Sequence, residues 1–214
     1  MNTNNIKMVE FIEFKRNCSA DRVKKSNKLV RFKSKKECVF GELLTDFAFN
    51  KQYYIKAIIN KDYFLLKNSL GKPFIQFRNE RFWYSLSHSG GIISTCVNEF
   101  FDVGIDIQST RTNIKNSHYI FSNLEIKDNI ENKFNKFKLW SMKEAVSKLT
   151  GQGLKMNFEK INFSKIDNDL YLFKNIYVKT KCICFNSVPY FLSIATYSVH
   201  KVKYLEVKLE DIRT

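Results

Sequence analysis

Between Ser34 and Phe49 the apolar residues Cys38, Leu43, Leu44, Phe47 and Ala48 recur near helical spacing, which predicts an amphipathic helix. Two short β-rich runs follow, Phe82 to Ser87 and Ile92 to Val97, separated by His88-Ser89-Gly90-Gly91. That pattern predicts a hairpin with a glycine-assisted turn. Val103 to Ile107 reads as a further apolar strand. Phe121 to Ile130 reads as a helix, with Ser122 as N-cap and Glu125 three residues on in a capping-box pattern. The clearest helix is Leu139 to Thr150, with an apolar stripe through Leu139, Met142, Val146 and Leu149 and a glycine, Gly151, just past its end. Beyond it, Lys160 to Phe163, Leu170 to Val178, Tyr190 to Thr196 and Val202 to Val207 alternate or run apolar like antiparallel strands. Each half of the chain thus holds helix followed by strands. The expectation is an α+β fold of two halves, 1–102 and 103–214, with the boundary near Asp102 to Gly104.

Composition narrows the class without naming a function. The chain has 214 residues, enough for one large domain or two small ones, and its 44% hydrophobic and 15% aromatic content fits a globular protein. No apolar run is long enough to cross a bilayer, and the first residues carry no apolar signal core, so neither a membrane nor export is expected. Five cysteines without framework spacing read as free thiols of a reducing cytoplasm. Cys182 and Cys184, two apart on one strand face, lack the further ligands that structural zinc requires. The formal charge of +15 favours anionic partners, although a chain rich in Lys, Asn, Ile and Phe also reflects plain compositional bias.

Three short segments carry candidate chemistry. In Val103-Gly104-Ile105-Asp106-Ile107-Gln108, side chains two apart share a face, so Asp106 and Gln108 project together. Asp106 reads either as a solvated strand-end carboxylate or as a ligand to a divalent cation. In Trp140-Ser141-Met142-Lys143-Glu144-Ala145-Val146-Ser147-Lys148, Glu144 and Lys148 lie one helical turn apart. Alone they read as an ordinary surface ion pair, worth a few tenths of a kcal/mol. Ser85-Leu86-Ser87-His88-Ser89-Gly90-Gly91 reads as a polar hairpin end; a Ser and a His this close in sequence make no protease triad.

Taken in order, these segments resemble a known family. Ser87-His88-Ser89, then Gly104-Ile105-Asp106-Ile107, then Trp140-Ser141-Met142-Lys143-Glu144-Ala145 with Lys148, Gly151 and Gly153-Leu154, are similar to the three signature blocks of the surfactin-synthetase-activating (Sfp) type of 4'-phosphopantetheinyl transferase. Gly71-Lys72-Pro73 and Phe121-Ser122 with Glu125 resemble two further elements of that family, and the likeness spans roughly residues 20 to 165.

The resemblance implies two similar α+β halves related by a pseudo-twofold, with coenzyme A in the cleft between them. It implies a monomeric, cytoplasmic transferase that moves phosphopantetheine onto a carrier-protein serine for fatty acid, polyketide or nonribosomal peptide synthesis. Mg²⁺ would be held by Asp106 and Glu144, with Gln108 as a third ligand where many relatives carry glutamate. Lys148 would lie against the pyrophosphate, and Lys143 and Lys72 would add positive charge around the nucleotide. Arg22, Lys25, His88 and Ser87 would contact the 3'-phosphate or ribose of coenzyme A. The catalytic set is then Glu144, Lys148 and Asp106.

The partner expected is an acidic acyl or peptidyl carrier protein, met through Arg111 or Lys115 with apolar contact from Ile114 or Tyr119. Two other readings compete. One is a relative that binds coenzyme A or carrier protein but is catalytically weak, motivated by Gln108. The other is a basic nucleic-acid-binding protein, motivated by charge, but no recognised binding motif or Arg/aromatic platform accompanies it, so no nucleic acid is expected.

Overall fold

The computed structural model describes residues 1–114, 119–122, 125–126 and 135–212. The chain is α+β and divides into two compact units, Met1–Phe100 together with Val202–Thr214, and Phe101–Lys201. The expectation put the division near Asp102 to Gly104; these units part after Phe100, and the C-terminal tail from Val202 groups with the first unit.

The first unit holds helices α1 (Met8–Lys15), α2 (Ala20–Lys28) and α3 (Phe32–Tyr53) and an antiparallel meander of β1 (Tyr63–Lys67), β2 (Pro73–Phe77), β3 (Glu80–Ser89) and β4 (Ile92–Asn98). The helix expected from Ser34 to Phe49 is longer at both ends. Its middle is buried on every side, including Lys36, Glu37 and Glu42, so it serves as the unit's central rod. Phe14, Val39, Phe40, Leu43 and Leu44 pack with Ile93 and, from the tail, with Val207 and Ile212. Val202 to Val207, expected as a strand, forms none: Val207 is buried in this core instead of pairing a sheet edge, and Leu205 is exposed. The β3–β4 hairpin closes on Gly90 and Gly91, both at positive φ (57° and 84°), which L side chains with a Cβ adopt only under strain. His88 and Ser89 belong to β3 itself and not to the turn.

The second unit is a five-stranded antiparallel sheet in the order β5-β9-β8-β7-β6, formed by β5 (Gly104–Ser109), β6 (Ser164–Asp167), β7 (Leu170–Phe173), β8 (Ile176–Phe185) and β9 (Val188–Thr196). Across it packs α4 (Asn135–Thr150). Met142, Ala145, Val146 and Leu149 meet Ile176, Val178 and Ala195 in the core; of the stripe read from the sequence, Met142, Val146 and Leu149 are buried there and Leu139 is half-buried. Two strand expectations are corrected. Leu170 to Val178 is two strands joined at Lys174, whose φ of 55° turns the chain. Lys160 to Phe163 is not a strand; a 3-10 turn at Phe158–Lys160 precedes β6. Of the helix expected from Phe121 to Ile130, residues 123–124 and 127–130 lie outside the described residues. Its capping box is present: Ser122 N–H donates to Glu125 Oε2 at 2.8 Å, and Glu125 N–H to Ser122 Oγ at 3.3 Å. No helix among the described residues is long and apolar enough to cross a membrane.

Candidate active site

The second unit gathers four polar side chains where β5 meets α4. Asp106 is 2% exposed, on the sheet face that α4 covers. It sits opposite Ser193 of β9, which joins Ser141 of α4 (2.7 Å) and Thr180 of β8 (3.1 Å) in a buried chain of hydroxyls. This chain seats α4 on the sheet. Gly104, one strand step before Asp106, sets how close the two elements come. A Cβ there would stand 2.0 Å from the carbonyl oxygen of Ala145 and 2.6 Å from the amide nitrogen of Leu149. Only a residue without a side chain lets the strand backbone lie on the helix backbone at this point.

The close approach puts the charged groups together. Lys148 Nζ donates to Asp106 Oδ1 at 2.7 Å, and Gln108 Nε2 donates to Asp106 Oδ2 at 2.9 Å, so both oxygens of the buried carboxylate are held. Glu144, one turn before Lys148, is half-buried. Burial and the nearby negative charge of Asp106 push its carboxyl up to about 7, only partly opposed by Lys148. The Glu144–Lys148 pairing read as a surface ion pair is therefore not the arrangement found: the ammonium turns to Asp106 and Glu144 faces the same centre.

Asp106 and Glu144 are an all-oxygen, doubly acidic pair, the donor type that Mg²⁺ takes when substrate phosphates complete its shell. The repulsion that raises Glu144 is what a divalent cation between the two would relieve, so the residues fit the metal. Among the described residues no three His, Cys, Asp or Glu side chains cluster as a metal site.

Lys143 does not join this group. It is fully buried, and its ammonium donates to Ile120 O (2.9 Å), Glu125 Oε2 (2.6 Å) and Phe158 O (2.9 Å). An ammonium has three protons, and all three are placed. The expectation that Lys143 contacts the nucleotide is corrected: it ties α4 to the segments before and after it, with burial lowering its pKa against the support of Glu125.

The remaining expected site residues lie in the first unit. Arg22 donates through Nε to Glu42 Oε2 at 2.9 Å, and that carboxylate also accepts from Ser19 N–H and Oγ at the start of α2. Lys25 is exposed on α2. Lys72 is buried, with its ammonium 5.7 Å from the centre of the Trp83 ring. Ser87 is buried on β3, and the half-exposed His88 stands with Nδ1 3.4 Å from Glu37 Oε2. Of the residues expected to meet a partner protein, Arg111 and Tyr119 are exposed, and Lys115 lies outside the described residues.

Residues 102–195 match the 4'-phosphopantetheinyl transferase superfamily. The matched stretch falls inside the second unit and contains Asp106, Gln108, Glu144 and Lys148. No curated protein matches the chain. Within the matched segment, two features went unread in the sequence: the packing role of Gly104 and the hydroxyl chain from Ser141. Both residues stood in the quoted motifs. Small residues inside a strand and inside a helix were the available signal for close approach.

Proposed function

We propose that the chain transfers the 4'-phosphopantetheine group of coenzyme A to a serine of an acidic acyl or peptidyl carrier protein, releasing 3',5'-ADP, as an Mg²⁺-dependent monomer of the Sfp type. The observation that carries this reading is the Asp106–Lys148–Glu144 constellation lying inside the segment that matches the transferase superfamily. Asp106 and Glu144 would hold Mg²⁺. When bound there, the ion supplies neutralisation of charge on the pyrophosphate.

The chain's own groups do the rest. The carrier hydroxyl attacks the β-phosphorus, the phosphoanhydride bond breaks, and the electron pair leaves with 3',5'-ADP. Phosphoryl transfer of this kind needs chiefly positioning and charge neutralisation. Lys148, 28% exposed at its side chain and anchored by Asp106, has protons left to donate to a phosphate oxygen. Glu144 takes the hydroxyl proton, directly or through one water. Gln108 keeps Asp106 oriented with its amide and brings no charge of its own. Lys25, His88, Ser87, Lys72 and Arg22 remain the proposed contacts to the nucleotide, Arg22 while sharing its guanidinium with Glu42.

The test is incubation with coenzyme A, Mg²⁺ and an apo carrier protein, read by mass spectrometry for the added phosphopantetheine. Modification that requires Asp106 and Glu144 supports the reading. Coenzyme A binding without any modification leaves the binding-only relative; no binding of either partner removes both.

A further inference from the structure

The sheet face that carries Asp106 continues past α4. In the strand register Asp106 stands opposite Ser193, which stands opposite Thr180; one step on, Gln108 stands opposite Phe191, which stands opposite Cys182. One step further along the same face come Pro189 and its partner Cys184. The inner row is buried, whereas Phe191 and Pro189 are half-exposed and both cysteine thiols are exposed. A strip of apolar and sulfur-bearing side chains therefore leads away from the carboxylate centre along one continuous surface of the second unit.

We infer that this strip, Gln108, Phe191, Pro189, Cys182 and Cys184, receives the pantetheine arm of coenzyme A; the inference rests on the coenzyme A reading given above. Length and chemistry both point to this occupant. Strands lie about 4.8 Å apart and two residues advance about 6.8 Å. Cys182 is then about 12 Å from Asp106 and Cys184 about 17 Å. The arm, with two amides and a terminal thiol, is roughly as long as four residues of extended chain, about 14 Å. With the pyrophosphate at Asp106 and Lys148, its free end falls between the two cysteines. The arm's geminal methyl groups, near the phosphate end, meet Phe191 and Pro189. Gln108 faces the arm's first polar groups. A nucleotide without the arm gains nothing from the strip.

The two thiols report occupancy directly. With Mg²⁺ present, the protein is saturated with acetyl-coenzyme A, whose own thiol is blocked, or with 3',5'-ADP, which lacks the arm. It is then alkylated with iodoacetamide, and peptide masses give the rate at each cysteine, with Cys96 as the reference. The expected result is slowing at Cys182 and Cys184 by acetyl-coenzyme A, none by 3',5'-ADP, and an unchanged rate at Cys96. A second measurement uses Cys182→Glu, at an exposed position where the fold tolerates a charge. It weakens acetyl-coenzyme A binding severalfold and leaves 3',5'-ADP affinity unchanged. Calorimetric binding of acetyl-coenzyme A with both cysteines alkylated at the ligand-free rate overturns the inference while leaving the coenzyme A reading intact. Failure of both nucleotides to bind removes that reading and the inference with it.

Discussion

The α-carbon of Gly104 lies so close to Ala145 that a Cβ added to it would stand 2.0 Å from the Ala145 carbonyl oxygen. Both neighbours named by this contact, Ala145 O and Leu149 N, are helix backbone, which cannot swing aside as a side chain can. The contact sets the separation of β5 and α4, and with it the reach of Lys148 to Asp106. Gly104→Ala is expected to cost about 3 kcal/mol of stability, as a forced overpacking. It should also lower transfer activity more than a distant substitution of equal cost. Urea denaturation with parallel assays checks this; an unchanged midpoint would mean that the helix shifts freely.

Glu144 gives a pH signature in the metal-free protein. Its folded pKa near 7 lies above the ordinary carboxylate value of 4.5, so the folded state holds the proton more tightly than the unfolded chain does. Its contribution to stability is full below about 4.5 and is lost as pH rises through about 7. For a half-buried group the loss is roughly 1–3 kcal/mol. Glu144→Gln should flatten that window in denaturation curves recorded with chelator. Added Mg²⁺ should restore stability at pH 8 in the wild type and much less in the variant. Identical pH dependence in both proteins would show that Glu144 keeps an ordinary pKa.

Gln108 is the position where an acid would change the balance. Its amide now donates to Asp106 Oδ2. Gln108→Glu replaces that donor with a second carboxylate, which repels Asp106 in the absence of metal and adds an anionic ligand in its presence. The variant should be less stable in chelator, keep activity, and need less Mg²⁺ for half-maximal rate. Asp106→Ala and Glu144→Ala should nearly abolish turnover. A Mg²⁺ titration of carrier modification for all four proteins decides; an unmoved midpoint for Gln108→Glu places it away from the metal.

Lys143 separates a structural from a nucleotide-binding role. Removing the buried ammonium takes the counter-charge from Glu125 and one donor each from Ile120 O and Phe158 O, so Lys143→Ala should lose about 3 kcal/mol or more. At a temperature where the variant is still folded, its affinity for coenzyme A should match that of the wild type. A stable variant with weakened coenzyme A binding would reverse the assignment.

Much of the site was legible in the chain because its signals are local. Period-two spacing puts Asp106 and Gln108 on one face, and the structure joins them by a hydrogen bond. Period-3.6 spacing marks Met142, Val146 and Leu149 as the buried side of α4. The capping box at Ser122 and the glycine pair of the β3–β4 turn are likewise read from neighbours in sequence. Other features depend on residues far apart in the chain. Lys143 looks like any exposed helix lysine until Ile120, Glu125 and Phe158 supply three acceptors around it. Val202 to Val207 has the alternation of a strand, yet Val207 is taken into the core around α3, because burying apolar surface there competes with sheet pairing. Lys148 has Glu144 within a helical turn but donates to Asp106, a buried carboxylate that would be costly to leave unpaired. The sequence by itself determined which residues share a face; the tertiary structure alone decided what each face meets, since burial and charge pairing are properties of the packed chain.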